Sequence, residues 1–148
     1  MKEILGLVLA VIVLISGCGS NTNSVKKTDL SNLTPTPTQI VETYYNSIAT
    51  GDYSTAKNCL SDEIVQQYVN YPDSDFTNIK KLTDIKVSVA APIKLHGKNF
   101  DEVQVTAKYV AEYKKVMTSD NGKQVRFIYV AKKEKDSPWK IISIGTGP

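Results

Sequence analysis

Residues 102–114 read EVQVTAKYVAEYK, in which every second residue is apolar or aromatic. Successive side chains of a β-strand point to opposite faces of the sheet, so this period of two predicts a strand that is buried on one face. The other face would place Glu102, Lys108 and Glu112 in water. Because the strand is longer than the usual five or six residues, it should bend around a core, with a bulge as one means of doing so.

Shorter stretches with strand character flank this one. The alternation at residues 82–91 predicts a preceding strand, and residues 125–131 and 139–144 predict two following ones. Asn and Gly at positions 121–122 tolerate the positive φ of a hairpin turn, and residues 132–138 form a charged turn. The sequence therefore predicts an antiparallel sheet of at least four strands.

Helices are predicted before the sheet. Residues 36–39 read TPTQ, which gives a Thr N-cap, a Pro at the first helical position and a Gln that completes a capping box. The apolar spacing continues to Gly51, where the helix should end. Asp52 can cap a second helix and Ser61 or Asp62 a third, and the cluster at residues 72–75 should end the helical part. The expected fold class is α+β, with N-terminal helices packed on one face of a curved antiparallel sheet.

The first 18 residues combine a charged start, an apolar run and a cysteine. The run at residues 4–15 is too short to span a bilayer, which needs about 20 residues, and is typical of a signal peptide. It ends in ISGC at residues 15–18, which resembles the bacterial lipobox. The resemblance implies cleavage after residue 17 and attachment of diacylglycerol to Cys18 through a thioether. An uncleaved anchor that happens to end near a cysteine is the alternative.

This interpretation divides the chain into three parts. Residues 1–17 are the lipoprotein signal peptide, 18–35 a lipidated flexible tether rich in Ser, Asn and Thr, and 36–148 the folded domain. Two acyl chains hold a protein on a membrane durably, so the mature, palmitate-bearing chain is expected on the extracytoplasmic face of the cell membrane.

Residues 40–56 read IVETYYNSIATGDYSTA, and this stretch resembles the opening of the nuclear-transport-factor-two-like superfamily. The ending at residues 139–148 resembles that of uncharacterised lipoproteins of Gram-positive bacteria that carry such a domain. The resemblance implies a cone-shaped cystatin-like, ketosteroid-isomerase-like fold, and a possible homodimer through the open sheet. It does not specify a ligand, because the superfamily includes isomerases, dehydratases, transport factors and binding modules.

The enzymes of that superfamily place a carboxylate or histidine base in the cone beside hydrogen-bond donors. In this sequence Glu102 and Glu112 fall on the polar face of the long strand, although Asp101 could turn inward. His96 lies in a predicted loop, and two cysteines, one of them lipidated, leave no metal constellation. We therefore expect no cofactor, no metal and no catalytic residue; the alternative is an isomerase, dehydratase or hydrolase that uses a pocket carboxylate.

Aromatic residues are the candidates for a pocket lining, because the helix face and the alternating strands could bring them to the concave side of the sheet. The candidates are Tyr45, Tyr68, Tyr109, Tyr113, Phe127 and Trp139. A buried phenol needs a polar partner, which favours pocket walls and wet interfaces, but an ordinary filled core is an equal alternative. The expected function is that of a non-enzymatic module that binds a small apolar ligand or a protein partner.

Charge is divided unevenly along the chain. The total of +3 is too small to indicate nucleic-acid binding. Residues 18–79 hold three lysines against seven acids, whereas residues 80–148 hold fourteen basic residues against seven acids, which gives −4 and +7. A basic sheet layer could orient the domain against anionic lipid headgroups or wall polymers, or it could be an ordinary solvated face.

Overall fold

The computed structural model describes residues 34–93 and 99–147. The signal peptide, Cys18, nearly all of the tether and His96 lie outside these residues, so the predictions about them stay predictions. The described elements are four helices, α1 (Pro37–Thr50), α2 (Tyr53–Asn58), α3 (Asp62–Tyr68) and α4 (Asp75–Asn78), and five strands, β1 (Ile79–Val87), β2 (Ala91–Pro92), β3 (Asp101–Tyr113), β4 (Gly122–Lys132) and β5 (Lys140–Gly145).

The first helix begins and ends where its sequence signals indicate. The Thr36 side chain accepts from the Gln39 backbone N–H, and the Gln39 side chain accepts from the Thr36 N–H, which confirms the capping box. Gly51 ends the helix in the left-handed region at φ 77°. Asp52 caps α2 and Ser61 caps α3, as predicted.

The segment at residues 73–75 does not end the helical part, contrary to the prediction. Ser74 accepts from the Thr77 N–H and caps a fourth, one-turn helix. The chain then continues directly into β1, which begins at Ile79, three residues before the expected start. Ser74 and Asp75 are both buried, so this short helix is part of the interior.

The strands form one curved, open antiparallel sheet in the order β1-β3-β4-β5, and β2 pairs with β3. The pairing of β3 with β4 runs from Asp101↔Lys132 to Ala111↔Gly122 without a shift. Irregularities occur instead where β1 meets β3 and where β4 meets β5. The long alternation expected over residues 82–91 is interrupted at residues 88–90, where Val89 is 87% exposed.

Helix α1 packs on one face of the sheet, which we call the inner face; the opposite face is the outer face. The inner face carries the buried alternate residues of β3, from Val103 to Tyr113, and the α1 residues Val41, Tyr44 and Tyr45 lie against this core. The predicted α+β class, with helices followed by a curved antiparallel sheet, is confirmed. One predicted detail is wrong: Glu102 is only 5% exposed, and the Asn99 amide donates to its carboxylate.

Candidate functional site

A buried carboxylate lies at the centre of the inner face. The short helix α4 places Asp75 there with 2% of its surface exposed. The hydroxyls of Tyr45 and Tyr109 donate to Asp75 Oδ2 at 3.2 and 2.7 Å, and the Asp75 backbone N–H donates to the Tyr68 hydroxyl oxygen at 3.2 Å. Hydrogen bonds from two phenols offset part of the cost of removing this charge from water.

The counter-charge comes from Arg126 on the inner face of β4. Its Nη2 lies 3.4 Å from Asp75 Oδ1, 3.1 Å from the Tyr113 hydroxyl and 3.0 Å from Ser119 Oγ. The planar guanidinium directs several N–H donors at once, which suits this position between partners from different elements. We refer to the seven residues of this network as the Asp75 cluster: Tyr45, Tyr68, Asp75, Tyr109, Tyr113, Ser119 and Arg126.

Burial keeps the phenols of the cluster protonated. It raises the pKa of Tyr45, Tyr68 and Tyr109 well above the usual tyrosine value, and the negative charge of Asp75 raises each further. Burial lowers the pKa of Arg126, but the Asp75 charge and the neighbouring tyrosines Tyr109, Tyr113 and Tyr45 together outweigh burial, so the pKa is raised. The cluster therefore holds one anion and one cation among neutral donors.

The six aromatic candidates divide into two groups. Tyr45, Tyr68, Tyr109 and Tyr113 meet in the Asp75 cluster. The other two lie elsewhere. Phe127 pairs with Thr106 on the outer face, and the Trp139 ring lies 5.4 Å from the Lys132 ammonium.

Two central residues of the cluster were missed by the sequence analysis. The pattern at residues 72–75 predicts a terminating loop, and it contains no signal that Asp75 is buried. Arg126 does carry a signal: among 18 basic residues it is the sole arginine, and it stands in the otherwise apolar run at residues 125–131. An arginine in such a run indicates a buried cation that requires a fixed anionic partner.

The geometry of the cluster limits its chemistry. Asp75 is held by an arginine and two phenols and is almost fully buried, whereas a general base must reach a substrate proton. Asp101, the other acid considered, is exposed, and its carboxylate accepts from the Glu102 N–H. The cluster thus has the character of a fixed internal network.

A separate surface cleft of about 630 Å³ opens at the start of α3. Its lining combines less exposed apolar side chains with a rim that carries acids from α3, a lysine directly after β4 and a lysine at the start of β5. The lining consists of Leu60, Ser61, Asp62, Glu63, Asn99, Ala131, Lys133, Ser137, Pro138, Lys140 and Ile142. None of the six aromatic candidates lines it. The volume lies within the range of about 300–1,000 Å³ found for ligand pockets.

Within residues 34–93 and 99–147, no three or more His, Cys, Asp or Glu side chains are grouped so that they could hold a metal ion. None of the described helices has the length and apolarity needed to cross a bilayer. Cys59 is a buried free thiol, and burial raises its pKa, which disfavours the reactive thiolate.

Residues 38–145 match the family model of a domain of unknown function (DUF4829). The match covers well over half of the chain and includes all of the Asp75 cluster and the whole lining of the cleft. Neither the curated proteins nor the solved structures gave a match.

Proposed function

The chain belongs to the DUF4829 family, and we propose that it is a lipid-anchored, extracytoplasmic binding module that performs no catalysis of its own. We further propose that it binds a segment of a protein partner in the cleft beside α3. The open, charge-lined cleft is the observation that carries this proposal.

The packing of the inner face argues against a ligand site among its aromatic residues and therefore favours a binding site elsewhere. Tyr45 and Tyr109 direct their hydroxyls at Asp75, and their rings lie 4.8 Å apart between centroids. These side chains are used to stabilise one another across the core. A small apolar ligand in their place would have to separate phenols from a buried carboxylate, which is costly.

The cleft offers the chemistry that a polypeptide segment requires. Leu60, Ala131 and Ile142 can contact apolar side chains, while Glu63 and Lys133 provide charges of opposite sign at the rim. The pKa of the Glu63 carboxyl group is lowered mainly by hydrogen bonds from its own backbone N–H and from the Ser61 side chain, and the Lys133 charge adds a smaller lowering. Polar and charged groups at a rim around an apolar centre are the usual arrangement of a protein interface.

Site-specific photo-crosslinking in living cells of the host tests the binding site. A photoreactive amino acid at Lys133, on the rim of the cleft, should give a discrete adduct of higher mass. The same residue at Glu42, exposed on α1 and outside the lining, is the control. Adducts at Glu42 alone, or equally at both positions, would contradict the cleft as the binding site. A small-molecule adduct at Lys133 would show that the cleft binds a small ligand and not a protein partner.

The anchor is tested separately. Labelled palmitate should appear on the chain, and a Cys18→Ala chain should lose the label and leave the membrane fraction. If the Cys18→Ala chain keeps its label and still sediments with membranes, the lipid anchor is wrong.

A further inference from the structure

The outer face of the sheet carries three exposed lysines on three neighbouring strands. Lys86 of β1 lies directly opposite Lys108 of β3, and Lys123 of β4 lies opposite Val110 on the same face. We call Lys86, Lys108 and Lys123 the lysine band. Beside Lys108 the partner position on β4 is Val125, which is 41% exposed.

The lysine band contradicts the usual rule for cross-strand pairs. Directly opposed residues have Cβ atoms about 4.5–5.5 Å apart, and like charges in that position repel. On β3 the same face also carries Glu112, which is paired with Lys80. None of the three band lysines has an ion-pair partner among the residues that the structure describes. A cluster of this kind attracts an external anionic surface.

The position of the start of α1 indicates which external anionic surface the lysine band faces. Thr36 caps the first helix, and the Thr38 hydroxyl donates to the Ser88 carbonyl at 3.4 Å. The Ser88 hydroxyl in turn accepts from the Thr106 N–H at 2.9 Å. Ser88 and Thr106 each stand two residues from a band lysine, a separation of about 7 Å along a strand. The start of α1, to which the tether is joined in sequence, therefore contacts a residue that is two positions from the lysine band.

We propose that the lysine band docks on the anionic lipid headgroups of the membrane in which Cys18 is anchored. For its location this inference rests on the lipid anchor of the proposed function, but it is independent of the cleft. A lysine near an anionic membrane surface strengthens partitioning about fivefold, so three of them act together with the tether to orient the domain. Val125, directly opposite Lys108 on β4, adds a small apolar contact to the docked face.

Vesicle co-sedimentation of residues 19–148, made without lipid, tests the docking without the anchor. This chain keeps every residue of the described core, which extends from Val41 to Ile141. The vesicles contain either phosphatidylcholine alone or phosphatidylcholine with phosphatidylglycerol. Binding should require phosphatidylglycerol and should weaken with added salt, because exposed charges are screened over a Debye length.

Matched charge variants locate the surface. Lys86→Gln with Lys108→Gln should reduce partitioning about 25-fold. Lys57→Gln with Lys135→Gln removes the same charge from exposed positions on α2 and in the turn before β5, and should change partitioning less than about threefold. Circular dichroism verifies that each variant is folded.

Three outcomes would overturn the inference: equal binding to neutral vesicles, equal loss in both pairs of variants, or tighter binding to a soluble glycerol-phosphate polymer than to phosphatidylglycerol vesicles. The last would assign the lysine band to a wall polymer. Because the chain used carries no lipid, failure of the palmitate experiment leaves these results unaffected, and the two hypotheses can be told apart.

Discussion

Asp75 and Arg126, 51 residues apart in the sequence, form a buried ion pair in which Arg126 Nη2 lies 3.4 Å from Asp75 Oδ1. The two side chains are 2% and 8% exposed. The pair connects the one-turn helix α4 to the middle of the sheet. Charge removed from water must be compensated by its partner and by hydrogen bonds, so we expect this pair to hold α4 on the inner face.

Removing one partner of the pair should lower the free energy of unfolding more than removing both. Arg126→Met leaves the Asp75 carboxylate buried without its cation and should destabilise the domain by about 3–5 kcal/mol. Asp75→Asn combined with Arg126→Met should cost less than Arg126→Met alone, because no unpaired charge remains. Urea unfolding of the single and double variants measures the coupling free energy.

The exposed pair between Lys80 and Glu112 is the control for that cycle. Its side chains are 61% and 45% exposed, and such pairs contribute about 0–1 kcal/mol. Lys80→Met should therefore change the unfolding free energy by less than about 1 kcal/mol. A loss in Arg126→Met no larger than in Lys80→Met would show that the buried ion pair does not hold α4.

Local signals predicted much of the fold. The Thr36 cap, Gly51 and the period of two in β3 each depend on neighbours within a few residues, which is why the sequence reveals them. The burial of Asp75 depends on an arginine far along the chain, and a local sequence pattern cannot predict that contact. The same holds for Glu102: its position on the polar side of the strand predicted exposure, whereas the side chain is buried and the Asn99 amide donates to its carboxylate.

The candidate site was predicted in part, for a related reason. Alternation on β3 placed Tyr109 and Tyr113 on the inner face. On β4 nearly every residue from 125 to 131 is apolar, so alternation could not determine whether Phe127 or Arg126 points inward. The cleft combines residues from α3, β4 and β5 with loops, and its existence depends on tertiary packing alone.

Loss of the hydroxyl should change the stability of the domain differently at two buried tyrosines. Tyr109 donates to Asp75 at 2.7 Å, so Tyr109→Phe should cost about 1.5–3 kcal/mol. The Tyr44 hydroxyl is buried and has no hydrogen-bond partner among the described residues. Tyr44→Phe should therefore be neutral or stabilise the domain by about 1 kcal/mol. A loss at Tyr44 as large as at Tyr109 would reveal a bridging water on the Tyr44 hydroxyl.

Substitution of Gly51 should lower the stability of the domain through backbone strain alone. Its φ of 77° is unfavourable for an L side chain, while an added Cβ would meet nothing within 4 Å. Gly51→Ala should thus cost about 1–2 kcal/mol through strain at the end of α1. Gly147→Ala is the matched control, because that Cβ also meets nothing within 4 Å and no positive φ is required. Equal midpoints of thermal unfolding for the two variants would contradict this account.

Alkaline pH should destabilise the domain through its buried phenols. Burial raises the pKa of Tyr44, Tyr45, Tyr68, Tyr109 and Tyr113 above the value of 10.0 expected in the unfolded chain. Below that pH both states hold these protons and stability is unaffected; above it the unfolded chain releases protons that the folded chain retains, so stability falls as pH rises. Each phenol can contribute a slope of up to about 1.4 kcal/mol per pH unit.

The urea midpoint of unfolding should fall steeply above about pH 10. Tyrosinate absorbance should rise together with unfolding, and the midpoint of Tyr109→Phe should fall less steeply with pH. Complete ionisation of the tyrosines with an unchanged circular dichroism spectrum would show that the Asp75 cluster is open to solvent.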